Sequence, residues 1–545
     1  MSRRSTLPEW QSLKELAAAA KTRHLRDMWG SPTRAADFSR QAGPLLMDFS
    51  KQRLDAVDLS GLLALARACG LEPAVQDLMS GVAVNNTENR PALHSALRAA
   101  PDEQIQVDGQ DVVPAVQASL QRMDNMVSRI HSRQWRGWTG KPIRDVVNIG
   151  VGGSDLGPFM ACNALGEFTP AAARELNLHF VSSIDGTQIA DLLGSLKPET
   201  TLFIISSKSF TTVDTLSNAR TAMQWMCDDN VDEDLVRSHH FIGVSACPER
   251  MTAWGIPAGN QVEFWEWVGG RFSLWSGIGL PVALKLGMAG FRQMLAGAQF
   301  MDRHFRETAL EDNLPVLLGL IAVWNATFLD IRAHAVLPYD GRLKFFPAYL
   351  TQLEMESNGK SVTRGGLPVD YSTCPVLWGD VGPNAQHAFY QLLHQGTQAV
   401  SSDFIAPIRR YDDHQLNSGL SLQHQLALAN CLAQSRVLML GDASVENGHE
   451  APEFRRYRGN QPSTTLLLDE LNAYTLGALV ALYEHKVYVM SVLWDINPFD
   501  QWGVELGKKI ADSTLPALRT ANPEKFDGST DALLQRIRAA GKEAS

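Results

Sequence analysis

Between residues 146 and 244 the chain alternates short apolar runs with longer amphipathic stretches. The runs at 146–149, 178–181, 202–205 and 241–244 are rich in β-branched and aromatic residues, and the segments between them repeat apolar positions three and four apart. Short apolar runs suit strands buried on both faces, and strands joined by helical crossovers form parallel sheets covered by helices. The same alternation returns after a helical stretch at 281–333, with strands predicted at 334–338, 374–378, 399–408 and 464–468. Upstream, residues 10–135 keep helical periodicity, as in Leu62-Leu-Ala-Leu-Ala-Arg-Ala68, and the closing stretch is polar and helical with Lys and Arg in its last turns. The pattern predicts an α/β protein. Its expected parts are a helical N-terminal segment over 1–120, a smaller parallel-sheet α/β domain over 121–290, a larger one over 291–511, and a C-terminal helical arm over 512–545. An arm of that kind often embraces a second subunit.

Composition narrows the ligands. With 545 residues, 45% of them hydrophobic, the chain can bury large cores, and a formal net charge of -10 repels nucleic acid and anionic membrane alike. An anionic ligand must therefore be caught by a local site. The six cysteines (69, 162, 227, 247, 374 and 431) include no Cys-x-x-Cys pair, so neither a zinc cluster nor a disulfide framework is expected. They read as the reduced thiols of a cytoplasmic protein. The arginines near the N-terminus are not followed by the apolar core of a signal peptide, and the longest apolar stretch, 314–324, falls short of the ~20 residues that cross a bilayer. No membrane segment is expected.

Two strand-to-helix junctions carry the first chemical signal. They read Asp145-Val-Val-Asn-Ile-Gly-Val-Gly-Gly-Ser-Asp-Leu-Gly-Pro158 and Leu202-Phe-Ile-Ile-Ser-Ser-Lys-Ser-Phe-Thr-Thr212. Each breaks into small or hydroxylic residues where a helix begins, so backbone N–H groups and hydroxyls converge on one spot, and Lys208 adds a cation. That combination suits a phosphate monoester. No Gly-x-x-x-x-Gly-Lys-[Ser/Thr] is present, and Asp155 stands where a dinucleotide fingerprint needs its third glycine, so neither a nucleotide loop nor an NAD site is indicated.

Four further stretches gather ionisable groups. Phe264-Trp-Glu-Trp-Val-Gly-Gly-Arg-Phe-Ser-Leu-Trp275 presents Arg271 beside apolar rings, where a guanidinium stabilises a developing oxyanion. Gln352-Leu-Glu-Met-Glu-Ser-Asn-Gly-Lys360 leaves Glu356 at the end of a helix, whose dipole makes a carboxylate more basic, with Gln352 one turn earlier on the same face. Asn384-Ala-Gln-His-Ala-Phe-Tyr-Gln-Leu-Leu-His-Gln-Gly396 is expected to open a helix with His387 in its first turn. His394 lies too far along that helix to share a metal with it, and His239 and His240 are expected to be structural. Gln501-Trp-Gly-Val-Glu-Leu-Gly-Lys508 is expected to place Gln501 and Lys508 on one helical face. A phosphate anchor, a base, an arginine, a histidine and a lysine describe proton transfer next to the carbonyl of a sugar phosphate.

At this point the chain resembles a known family. Gly152-Gly-Ser-Asp-Leu-Gly-Pro158, Ser207-Lys-Ser-Phe-Thr-Thr212, Val268-Gly-Gly-Arg-Phe-Ser273, Met355-Glu-Ser-Asn-Gly-Lys360, Gln386-His-Ala-Phe-Tyr-Gln391 and Gln501-Trp-Gly-Val-Glu-Leu-Gly-Lys508 are similar, in order and spacing, to motifs of the glucose-6-phosphate isomerase family, as is Asn86-Thr-Glu-Asn-Arg-Pro-Ala-Leu-His-Ser-Ala-Leu-Arg98. The resemblance covers about 45–512. It implies two sugar-isomerase-type (SIS) α/β domains, a dimer with the active site between domains, a sugar-phosphate substrate and no cofactor or metal. Gly153, Ser154, Ser207, Lys208, Ser209 and Thr212 would then bind substrate, chiefly its phosphate, and Gln352 and Gln501 would contact sugar and phosphate. Glu356 would move a proton between C2 and C1, and Arg271 would steady the cis-enediol(ate). His387, supplied by the partner subunit, would open the ring with Lys508. The chain departs from the family's usual residues at Ser209, Val213, Asp214, Glu266 and Ala385, and Asp214 is one methylene shorter than the Glu that orients the histidine. Rival readings are a non-catalytic sugar-phosphate-binding regulator and an isomerase of another sugar phosphate.

Overall fold

The computed structural model describes residues 4–227, 231–411, 418–520 and 526–543. It divides into two compact units, Met1–Pro498 and Phe499–Ser545. Among the described residues the first holds every strand. An N-terminal hairpin pairs β1 (Ser39–Ala42) with β2 (Leu45–Asp48), and a short ribbon pairs β3 (Gln106–Val107) with β4 (Gln110–Asp111). Five strands then form a wholly parallel sheet: β5 (Asp145–Gly150), β6 (Asn177–Val181), β7 (Thr201–Ser206), β8 (Phe241–Ser245) and β9 (Gln261–Glu263), in the order β6-β5-β7-β8-β9. A second sheet is built from β10 (Ala333–Pro338), β11 (Val376–Gly379), β12 (Ser401–Arg409) and β13 (Ser463–Glu470), all parallel. Its order is β1-β2-β13-β12-β10-β11.

The apolar runs therefore became strands, and the fold class is the α/β one expected. All six residues of β7 and all five of β8 are buried, as strands covered on both faces must be. The helical expectation for residues 10–135 needs correction, because β1 and β2 lie inside that segment. β2 pairs antiparallel with β13, Leu466 opposite Met47, and extends the second sheet at that edge. Four-residue strands are too short to impress a period of two on a sequence read for helices. What places them is the open backbone edge of β13.

Helices Leu280–Glu307 and Leu314–Val323 pack against Ala473–Leu493 to form the interior of this unit. The apolar stretch at 314–324 forms the buried helix Leu314–Val323. Ala473–Leu493 is nevertheless the longer apolar element, and by length and composition alone it could cross a membrane. Glu484, His485 and Lys486 interrupt its apolar run, which hides it in the sequence. In the fold its most apolar window is wholly buried within the protein. The second unit contains helices Glu505–Arg519 and Gly528–Glu543, with Arg538 donating to the Ala517 carbonyl at 2.7 Å.

Candidate active site

Strand β5 is followed by β6 on one side, and the chain then crosses to place β7 on the other, so the order reverses between β5 and β7. At such a point the loops leaving the carboxyl ends of adjacent parallel strands diverge and open a crevice for ligands. Both Gly/Ser/Thr junctions leave from there, with Gly150 paired to Ser206 at the ends of the two strands. Asn148, buried within β5, ties them together. Its amide donates to the Ser154 carbonyl at 3.0 Å, and its Oδ1 accepts from Ser206 Oγ at 2.8 Å.

The second junction runs from β7 into helix Val213–Met226, with Thr212 at the N-cap position. Ser207 Oγ lies 3.1 Å from Thr212 Oγ1 and accepts the Phe210 N–H at 3.1 Å, while Ser209 Oγ lies 2.8 Å from Thr211 Oγ1. Phe210 has a φ of 52°, the left-handed conformation that folds the loop back over the helix start. Lys208 Nζ donates to the Glu266 carbonyl at 2.8 Å and lies 3.4 Å from that residue's carboxylate. Burial and the nearby Arg90 draw its ammonium below the usual lysine range, and Glu266 opposes them. Arg90, from the upstream motif, also pairs with Glu266 at 2.7 Å.

The first junction packs on the arginine loop. Gly152 has a φ of +59° and faces the Gln352 amide, while a Cβ on Gly153 would stand 2.0 Å from the Gly270 carbonyl oxygen. Backbone contact this close brings Arg271 to the same crevice. Arg271 is 3% exposed, its Nε donates to Ser357 Oγ at 2.6 Å, and its Nη2 donates to the Pro498 carbonyl. Its Nη1 lies 3.3 Å from Glu356 Oε1. The other oxygen, Oε2, accepts from the Gln352 amide at 2.8 Å. A partly exposed carboxylate is thus held at both oxygens by side chains that themselves face the crevice.

The local backbone explains how Gln352 and Glu356 meet. Helix Phe346–Thr351 runs into a π-helical turn, Gln352–Glu356, where the wider winding points Leu353 and Glu354 into the core. Lys360 Nζ closes the end of the turn by donating to the carbonyls of Glu356, Ser357 and Asn497 at 3.3, 3.1 and 3.0 Å. A cation at the last carbonyls of a helix is favourably placed.

Two expectations about helices are corrected. His387 lies in the last turn of Gly382–Ala388, because Pro383 starts the helix earlier than the sequence reading allowed. Its side chain is exposed, and no hydrogen bond or ion pair joins it to Glu356, Arg271 or Asp214 among the described residues. Gln501 and Lys508 do not share a helical face. Gln501 precedes a 3-10 turn, Trp502–Val504, whereas Lys508 lies in Glu505–Arg519, exposed and 3.2 Å from Glu505. Asn148, Ser357 and Arg90 went unrecognised in the sequence. A lone Asn in an apolar strand was the available signal for the first, since a buried amide needs partners.

The fold as a whole is that of a glucose-6-phosphate isomerase. A structure of that enzyme from Chlamydia trachomatis superposes with a TM-score of 0.85 at 29% identity, covering 99% of this chain and 100% of the other. A family model described as phosphoglucose isomerase matches residues 48–534. Glucose-6-phosphate isomerase 2 of Chromohalobacter salexigens is 57% identical over 540 residues, 97% of each chain, and glucose-6-phosphate isomerase of Psychrobacter cryohalolentis is 56% identical over 539 residues, 97% of this chain and 96% of the other. The chain belongs to the phosphoglucose isomerase family.

Proposed function

We infer that this protein interconverts glucose 6-phosphate and fructose 6-phosphate, an aldose-ketose isomerisation of glycolysis and gluconeogenesis, and we propose the following division of labour. Gly153, Ser154, Ser207, Lys208, Ser209 and Thr212 hold the phosphate end, with Gln352 and Gln501 against sugar and phosphate. His387, from a second copy in a homodimer, and Lys508 move protons during ring opening. Glu356 then takes the proton from C2 of the open-chain aldose. The cis-enediol(ate) that results places its charge on O1, where Arg271 meets it. Glu356 returns the proton to C1 as the C2 hydroxyl proton passes to O1, which leaves C2 as the ketone and O1 as a hydroxyl. The same proposal keeps the two α/β domains divided near 290/291 and places the enzyme in the reducing cytoplasm, in keeping with its six free thiols.

One observation carries the proton transfer: Glu356 is oriented by Gln352 at 2.8 Å and flanked by Arg271 at 3.3 Å while keeping a quarter of its side chain open. The test is Glu356→Gln, which keeps the shape and removes the base. Its kcat should fall on the order of 10²–10⁴-fold with KM little changed. In D₂O the wild type should place solvent deuterium at C1 of fructose 6-phosphate or C2 of glucose 6-phosphate, and the variant should lose that exchange along with turnover. Near-normal exchange in the variant would remove Glu356 from the role of base.

A further inference from the structure

Two consecutive residues of the buried helix Ala473–Leu493 grip the turn that carries Glu356. Lys486 Nζ donates to Glu354 Oε2 at 2.8 Å, with both side chains 1% exposed. The carbonyl of Val487 accepts from the Asn358 amide at 3.1 Å. Glu356 therefore sits between two anchor points, two residues to either side, both fastened to one helix. The surroundings make the first anchor specific. Lys486 lies over the Tyr483 ring at 5.3 Å, and Tyr483 donates to Asp403 at 2.9 Å, which also meets His334 at 3.0 Å. Cys374 Sγ points at the Glu354 carbonyl, 3.7 Å away.

A buried ion pair is a poor way to gain stability, because desolvating both charges offsets their attraction and apolar residues of similar volume pack as well. What the pair adds is a directional link of fixed length, where apolar contacts would let the turn slide. We propose that Lys486, acting through Glu354, is a positioning residue for the reaction. Its bond sets the winding of the π-helical turn, and that winding aims Glu356 at the substrate carbons and Gln352 at Glu356. Lys486 touches no substrate in this scheme. The inference rests on Glu356 being the base.

Two variants of the full-length enzyme test it. Glu354→Asp keeps both charges and shortens the link by one methylene. The paired replacement Glu354→Leu with Lys486→Met removes both charges of the pair, and Asp403 keeps its bonds to Tyr483 and His334. Each should unfold near the wild-type temperature and keep the inhibition constant for inorganic phosphate within about twofold, because the hydroxyl loop that supplies most of the phosphate contacts is untouched. Each should also keep KM for fructose 6-phosphate within about twofold, yet lose ~10–100-fold in kcat, the expected cost of a base displaced by about an ångström. Wild-type kcat in both variants overturns the proposal, and so does a parallel loss of kcat and phosphate inhibition, which would mark a general loss of structure. If the double replacement fails to fold, Glu354→Asp decides, and failure of both to fold assigns the pair to stability and overturns the proposal. The base itself is judged separately. An active Glu356→Gln removes the base, whereas an inactive Glu356→Gln beside fully active pair variants removes only the positioning role.

Discussion

At the scale of single residues, the hydroxyls of Ser209 and Thr212 are the cheapest part of the site to remove. Both side chains are partly exposed, and each hydroxyl already has a hydroxyl neighbour, so the alanines should leave the fold intact. A hydrogen bond to a charged group contributes about 1.5–3 kcal/mol, so Ser209→Ala with Thr212→Ala should weaken inhibition by inorganic phosphate by ~10²-fold or more. Titration of phosphate against turnover measures this, and unchanged inhibition would make the loop structural. The loop stood out in sequence because Lys208 sits among four hydroxyls at a helix start, more donors than a plain turn or an N-cap uses. Asn148 and Ser357 did not, since one polar residue in an apolar strand or beside a glutamate shows its partner only when the chain is folded.

At the scale of elements, the contact between the Gly152–Ser154 turn and the Gly270–Trp275 turn decides where Arg271 stands. A methyl group on Gly153 would collide with the Gly270 carbonyl, whereas one on Gly270 would meet nothing within 4 Å. Gly153→Ala should therefore displace the arginine loop, cost roughly 1–3 kcal/mol of stability through overpacking, and lower kcat, while Gly270→Ala should leave both nearly unchanged. Paired thermal melts and initial rates separate the two. The sequence pattern located both turns but could not place one on the other. Glycine's small size marks a close approach without naming the partner.

At the scale of the whole molecule, one buried and one half-buried histidine tie stability to pH. His240 is fully buried, accepts the Trp138 N–H at 3.1 Å and donates to the Thr201 carbonyl, and burial draws its imidazole down to about 4. His304 accepts the Leu314 N–H at 3.0 Å, and burial with nearby His485 takes it to about 4 as well. A folded-state pKa below the unfolded value of about 6.5 means the native state binds fewer protons in that window. The stabilisation is complete above about pH 6.5 and is lost as pH falls toward 4, by about 3 kcal/mol for His240. Urea midpoints between pH 7 and 4.5 should show the decline, and His240→Gln, which still accepts and donates but does not titrate, should flatten its slope by up to one proton. An identical slope in the variant would assign the acid sensitivity elsewhere.

By itself the sequence determined the α/β class, most strands, the hydroxyl loop and the candidate base, because each depends on neighbours a few positions away: a buried apolar run, a turn of small residues, a helix end. Only the tertiary structure decided how those parts meet. Arg271 reaches Ser357 across 86 positions, Lys486 reaches Glu354 across 132, and β2 finds the edge of β13 from the far end of the chain. Such pairings leave no local period, since they are set by which surfaces must be buried together and which backbone edges must be satisfied once the core has closed.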